Sequence, residues 1–194
     1  MAVFPSEVPL AEDRDFSSLL AAARLGAEWA WRVIYRELSP VVLRYLRAHG
    51  AGEPDDLLGE VFVQIVRNLP GFEGGQRELR AWALTIARSR LVDEWRHGRR
   101  KPCDFVPDDV LAAAAETGDV EDDCLRRLAD QRVRAIIERL SAQQRDVLFL
   151  RLFAGLTIDE AARVVGKTPG AVKALQIRAL EAIRREMSRE AVSL

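Results

Sequence analysis

Residues 103–123 decide how this chain can fold. They hold eight acids (Asp104, Asp108, Asp109, Glu116, Asp119, Glu121, Asp122 and Asp123) and not one Lys or Arg. With Pro102 and Pro107, Gly118 and the Ala112 to Ala115 run, the stretch shows no apolar periodicity and reads as a linker. A 194-residue chain interrupted there must form two smaller units. Each has enough length, because cores become self-sustaining from roughly 60 residues upward. The expected organisation is a first domain over 1–101, an acidic flexible linker over 102–124 and a second domain over 125–194.

The formal net charge of -1 conceals this segregation. Residues 77–101 carry eight bases (Arg77, Arg80, Arg88, Arg90, Arg96, Arg99, Arg100, Lys101) against three acids. Residues 167–189 carry six bases (Lys167, Lys173, Arg178, Arg184, Arg185, Arg189) against two. Two basic patches flanking an acidic connector suit a chain that touches polyanion in two places. Other classes drop out. Apolar runs fall well short of the ~20 residues a membrane span needs. Residues 1–16 carry acids and prolines where a secretory signal needs a basic start, so a cytoplasmic location is expected. Cys103 and Cys124 are too few for a disulfide framework and are not spaced as a metal pair, and His49 and His97 are the only histidines. No metal, no cofactor and no catalytic residues are expected.

Both flanks read as helical, giving an all-α fold. In 54–69 the residues Leu57, Leu58, Val61, Phe62, Ile65, Val66 and Leu69 form a stripe on a 3.6-residue helix. Pro54 suits its first turn, Asp55 and Asp56 sit near its positive end, and Pro70-Gly71 stops it. Upstream, 16–25, 28–38 and 41–48 look like three shorter helices separated by Gly26 and Pro40. Downstream, 78–97 is one helix or two fused ones, with Trp82 expected in the core.

The C-terminal flank is punctuated residue by residue. Leu125, Leu128, Ala129, Val133, Ile136, Ile137 and Leu140 make one stripe. Ser141 with Gln144 is a capping-box pattern opening a helix through Val147, Leu148, Leu150 and Leu152, ended near Gly155. Thr157 with Glu160 repeats it. Gly166 ends that short helix, Thr168 caps the next, and Pro169 fits its first turn. The last helix is expected to bury Val172, Leu175, Ala179 and Ile183. Two helices joined by Gly166-Lys167-Thr168, the first of about nine residues, cross widely and present the second's N-terminal face to a major groove. Backbone N–H groups at its start also suit phosphate.

The run LSAQQRDVLFLRLFAGLTIDEAARVVGKTPGAVKALQIRALEAIRR over 140–185 resembles region 4 of the extracytoplasmic-function sigma factors of the sigma-70 family. DDLLGEVFVQIVRNLPGF over 55–72 and LRAWALTIARSRLVDEWRHGRRKP over 79–102 are similar to their region 2. The resemblance implies two helical domains, a region 2-like bundle and a region 4-like helix-turn-helix bundle. It implies RNA polymerase core, through its largest and second-largest subunits, and promoter DNA as partners, and an anti-sigma factor as a further one. The matching polymerase-binding positions are Asp55, Asp56, Leu57, Glu60, Val61, Phe62 and Gln64. Capture of the melted minus-10 strand falls to Phe72, Gln76, Arg80, Arg88, Ser89, Asp93 and Arg96. Unstacked bases need an apolar wall with a few hydrogen-bonding groups, and cations for the backbone. Ser89 stands where the family usually has asparagine. The minus-35 duplex falls to Lys167, Thr168, Lys173, Ala174, Gln176, Ile177 and Arg178, with Lys173 and Arg178 on phosphate rather than bases. Common members carry serine and arginine at Ala174 and Leu175, so this chain has fewer polar readers.

The function expected is that of an initiation factor without chemistry of its own, which binds core polymerase and directs it to a two-part promoter. The alternative is a stand-alone helix-turn-helix regulator, which needs only the C-terminal domain and leaves the basic 77–101 segment without a use.

Overall fold

The computed structural model describes residues 13–97, 137 and 139–192. Among the described residues there are seven α-helices and no strand. The acidic segment 102–124 with its two cysteines, and Leu125, Leu128, Ala129, Val133 and Ile136 of the expected stripe, lie outside them.

The first half packs α1 (Asp13–Arg24), α2 (Glu28–Ala48), α3 (Pro54–Asn68) and α4 (Gln76–Arg96). One expectation fails here: Pro40 does not divide α2, which runs unbroken through it. A proline inside a helix costs about 3 kcal/mol, because a hydrogen bond is lost and the ring crowds the preceding turn. On either side of it α2 buries Leu38, Val42, Tyr45 and Leu46, each at 3% exposure or less. Burying such side chains stabilises by roughly 1.5–3 kcal/mol each, so the core outweighs the proline. Pro40 and Arg36 are both exposed, which leaves the freed carbonyl within reach of water.

α3 begins at Pro54 as expected and gives way to a 3-10 turn, Leu69–Gly71. Leu57, Leu58, Val61, Ile65 and Leu69 are buried, but Phe62 is half-buried and Val66 is exposed. The seven-residue stripe is wider than the face that packs. α4 is one helix whose buried side carries Leu79, Ala81, Ala83, Leu84, Ile86, Ala87 and Leu91.

Among the described residues of the second half comes α5 (Ala142–Leu148), where the Ser141 hydroxyl accepts from Gln144 N–H and the Gln144 amide oxygen accepts from Ser141 N–H. The helix then widens into a π-helical segment, Phe149–Phe153, in which Ala154 N–H donates to the Phe149 carbonyl. That extra residue per turn buries Phe149 and Leu150 and turns Leu152 outward. α6 (Ile158–Val165) opens with the Thr157–Glu160 box and closes at Gly166, whose φ of +66° suits glycine. α7 (Pro169–Val192) buries Val172 and Ala179, while Leu175 and Ile183 are half-buried.

The halves share one core. Val42 and Tyr45 of α2 belong to the same buried cluster as Val147, Phe149 and Leu150, and α6 lies along α4.

Candidate nucleic-acid interface

Three surfaces carry the candidate residues. On α3, Asp55, Asp56 and Glu60 are exposed, whereas Leu57 and Val61 point inward at 7% and 0% exposure. These two pack in the core and fix the helix. Asp55 accepts from Arg47 Nη2 at 3.5 Å. The half-buried Gln64 amide oxygen accepts from Arg90 Nε at 2.9 Å. Apolar surface lies beside the acids: Tyr35, Val63 and Val66 are about half exposed, and the Tyr35 ring sits 4.6 Å from that of Phe62. Sequence reasoning missed Tyr35 and Val63 and placed Val66 in the core. The warning was present in eight apolar residues between 57 and 69, more than one face of a helix can bury.

The second surface forms where the loop after α3 meets α4. Arg24 of α1 donates to two loop carbonyls, from Nε to Leu69 at 3.4 Å and from Nη2 to Phe72. Gly75 N–H donates to Glu78 Oε2 at 3.0 Å. Gly74, at φ +145°, has no room for a side chain: a Cβ would come within 2.8 Å of that of Glu78. The loop so held presses the buried Phe72 ring to 5.1 Å from Trp82. Trp82 is half-buried rather than wholly core; with Phe72, Asn68 and Thr85 it lines a groove of about 530 Å³. An aromatic wall beside an open groove suits an unstacked base.

α4 divides the rest of the minus-10 set. Trp82, Thr85, Ser89, Asp93 and Arg96 recur at helical spacing and share one stripe, with Ser89 and Arg96 exposed. Gln76, Arg80 and Arg88 face the C-terminal half instead. Gln76 and Arg80 border Ala154, Gly155 and Leu156 across a small cavity, and Arg88 Nε donates to Asp146 Oδ2 at 3.0 Å. The seven residues grouped by sequence therefore do not make one surface.

The third surface is the turn from α6 into α7. Thr168 Oγ1 accepts from Ala171 N–H at 3.3 Å, capping α7. Lys167, Thr168, Lys173, Ile177 and Arg178 are exposed and Ala174 is half-buried, and from Lys173 onward they follow one helix face. Gln176 departs from it: half-buried, it accepts from Arg151 Nε at 3.4 Å. At the opposite end of α6 from the turn, Glu160 is buried beside Thr157. Burial alone pushes its carboxyl up, but the Thr157 N–H and hydroxyl, with Arg77 and Arg163 nearby, hold it below the ordinary value.

The sigma-70 region 2 family matches residues 34–101, and the sigma-70 region 4 family matches residues 130–183. The chain is 32% identical over 180 residues to the ECF RNA polymerase sigma factor SigD of Mycobacterium tuberculosis, covering 88% of this chain and 82% of that one. The chain belongs to the ECF sigma factors of the sigma-70 family. Its identity to the ECF RNA polymerase sigma factor BldN of Streptomyces coelicolor is also 32%, over 169 residues; the match covers 86% of this chain and spans 64% of that relative's length. CnrH, solved in complex with the cytosolic domain of CnrY, shares the fold at 22% identity and a TM-score of 0.63, covering 90% of this chain and 97% of that one.

In this sigma factor the two matched regions meet at one carboxylate, which sequence reasoning did not single out. Asp146 of α5 is 7% exposed and accepts from Tyr45 OH at 2.8 Å as well as from Arg88. Burial, then Asp146, raises the Tyr45 phenol well above its ordinary value, so it stays a donor. Burial would lower Arg88, but the bond to Asp146 outweighs it and raises it. His49 lies 3.4 Å from Asp146 through Nε2, and its Nδ1 is 2.8 Å from the Tyr45 carbonyl. No periodicity marks such a contact, because its members stand 58 and 101 residues apart.

Proposed function

We propose that this sigma factor docks on core RNA polymerase through the outer face of α3, captures the melted minus-10 strand at the Phe72–Trp82 groove, and reads the minus-35 duplex with α7. Asp55, Asp56 and Glu60 supply charge for a basic partner helix, and Phe62, Val63, Val66 and Tyr35 supply the apolar centre that a specific interface needs. Ser89, Asp93 and Arg96 continue the groove along α4. Lys167, Lys173 and Arg178 neutralise phosphates, while Ala174 and Ile177 offer apolar contact to base edges. The polymerase contacts involve its largest and second-largest subunits. An anti-sigma factor is a further partner in this reading; the similar CnrH was solved with a second protein chain.

The observation that carries the proposal is the presence in one chain of an aromatic-walled groove suited to an unstacked base and of a helix-turn-helix with an exposed basic face. A stand-alone regulator uses only the latter. Run-off transcription with purified core polymerase and a promoter library tests it: accurate starts that depend on the added chain are expected. Duplex binding without polymerase, together with no transcript, would favour the regulator.

A further inference from the structure

We propose that Arg24, the last residue of α1, is a positioning residue for strand capture: its guanidinium sets the loop between α3 and α4 in the conformation that offers Phe72 and Trp82 to an unstacked base, and so governs which base the groove accepts. This rests on the reading of that groove as the minus-10 site, and adds to it a residue from a helix outside the groove's lining.

The loop has little stiffness of its own. Of residues 71–75, Gly71, Gly74 and Gly75 are glycine, the residue with the most conformational freedom to lose on ordering. Two of its backbone N–H groups are tied nearby, Phe72 to the Leu69 carbonyl at 3.1 Å and Gly75 to Glu78 Oε2 at 3.0 Å. Its shape therefore depends on what grips it from outside. The end of α1 is a firm base for such a grip. Ala23, beside Arg24, is buried, and its carbonyl accepts both from Gly26 N–H at 2.9 Å and from the Trp31 indole of α2 at 3.0 Å.

From that base the guanidinium donates through Nε to the Leu69 carbonyl at 3.4 Å and through Nη2 to the Phe72 carbonyl. The fork is planar and rigid, so it pins two carbonyls three residues apart relative to each other. The second bond also sets a direction. A trans peptide is planar, with its C=O and N–H pointing opposite ways, and no peptide among the described residues is cis. Holding the Phe72 carbonyl therefore aims the Glu73 N–H away from Arg24 and fixes how the chain leaves Phe72. Phe72 is then held twice, by its carbonyl from α1 and by its ring against Trp82 of α4. Gly71, Phe72 and Glu73 form one wall of the groove, and Trp82 and Thr85 the other. A binding site discriminates when its walls are held to within about 0.5 Å, and Arg24 is the side chain that holds the loop wall from outside α3 and α4.

Two variants of the full chain separate this role from a simple charge. Arg24→Met keeps an apolar stem and no donor; Arg24→Lys keeps the charge on a single nitrogen, which lacks the fork. Hydrogen exchange at the Phe72 and Gly75 amides of the free chain reports the loop. Enrichment from a pool of single-stranded DNA with randomised bases, bound by the chain in complex with purified core polymerase, reports base preference. Arg24→Met is expected to speed exchange and to flatten the preference at the most selective position about fivefold or more, the lower range of coupling between sites. Arg24→Lys recovers affinity for the pool but only part of the preference. Unchanged exchange, or a preference kept in full by Arg24→Met, overturns the proposal. So does full recovery of the preference by Arg24→Lys, which would reduce Arg24 to a charge for the DNA backbone. A native chain without base preference defeats the minus-10 reading of the groove instead, and faster exchange in Arg24→Met then still supports the hold of Arg24 on the loop.

Discussion

The two halves of this sigma factor are held together differently. α2, α3 and α4 run for 21, 15 and 21 residues, and no side chain caps the start of α2 or α3. α5 and α6 have 7 and 8 residues, and each opens with a reciprocal side-chain cap. Helices below about 12 residues are marginal alone, so the short pair depends on satisfying its own terminal N–H groups. The long helices depend instead on a broad shared core, strong enough to carry Pro40. Both kinds of element still meet in one buried cluster, where Val147, Leu150 and Ala161 are as fully buried as Val42 and Leu46, so the caps add to a core that the halves share.

Substitutions test that contrast. Leu84→Ala, at a site with 0% exposure, is expected to lower stability by about 2–5 kcal/mol in urea unfolding, since it removes buried area and leaves a cavity. Val66→Asp, on the exposed flank of α3, should leave the unfolding midpoint nearly unchanged yet weaken association with core polymerase about tenfold, equivalent to ~1.4 kcal/mol. Unchanged affinity would remove the apolar patch from the docking surface. Thr157→Ala deletes the acceptor of the Glu160 N–H and should cost about 1 kcal/mol. A cost matching that of Leu84→Ala would break the contrast between core-held long helices and cap-held short ones. Lys173→Ala should weaken promoter binding evenly across sequences and lower the salt slope by about one, measured by fluorescence anisotropy.

Much of this was legible in the sequence, for reasons that differ between the halves. Ser141–Gln144, Thr157–Glu160, Gly166, Thr168 and Pro169 mark helix ends by local chemistry, and the structure places each as read. Around α3 the ends were legible from Pro54 and Pro70-Gly71, but which apolar residues pack was left to periodicity, which assigned Val66 to the core because apolar residues on both sides of a helix look alike in sequence. Pro40 misled because a local cost was weighed without the tertiary burial that offsets it. The widened turn at 149–153 has no signature in hydrophobic spacing. The division of the minus-10 set follows from where α5 and α6 pack on α4, which no single helix encodes.

The smallest expected effect is a dependence of stability on pH. Burial pushes the His49 imidazole below its ordinary value of 6.5; Asp146 and the Tyr45 carbonyl oppose this, and Arg145 and Arg88 add to it. The groups facing His49 are therefore Tyr45 on its own helix, Asp146, Arg145 and Phe149 from the α5 segment, and Arg88 from α4. A histidine depressed in the folded chain costs nothing while folded and unfolded forms are both neutral, above 6.5. As pH falls through 6.5 the unfolded form takes up its proton first, so stability of the folded form is lost downward from there. Between pH 7.5 and 5.5 the urea-unfolding midpoint should drop, and His49→Gln should flatten that slope. Glu160, whose carboxyl is held below 4.5, loses its own contribution only at lower pH and does not interfere. A midpoint that rises on acidification would mean that attraction of the imidazolium to Asp146 outweighs its burial, so that protonation tightens the contact between the halves.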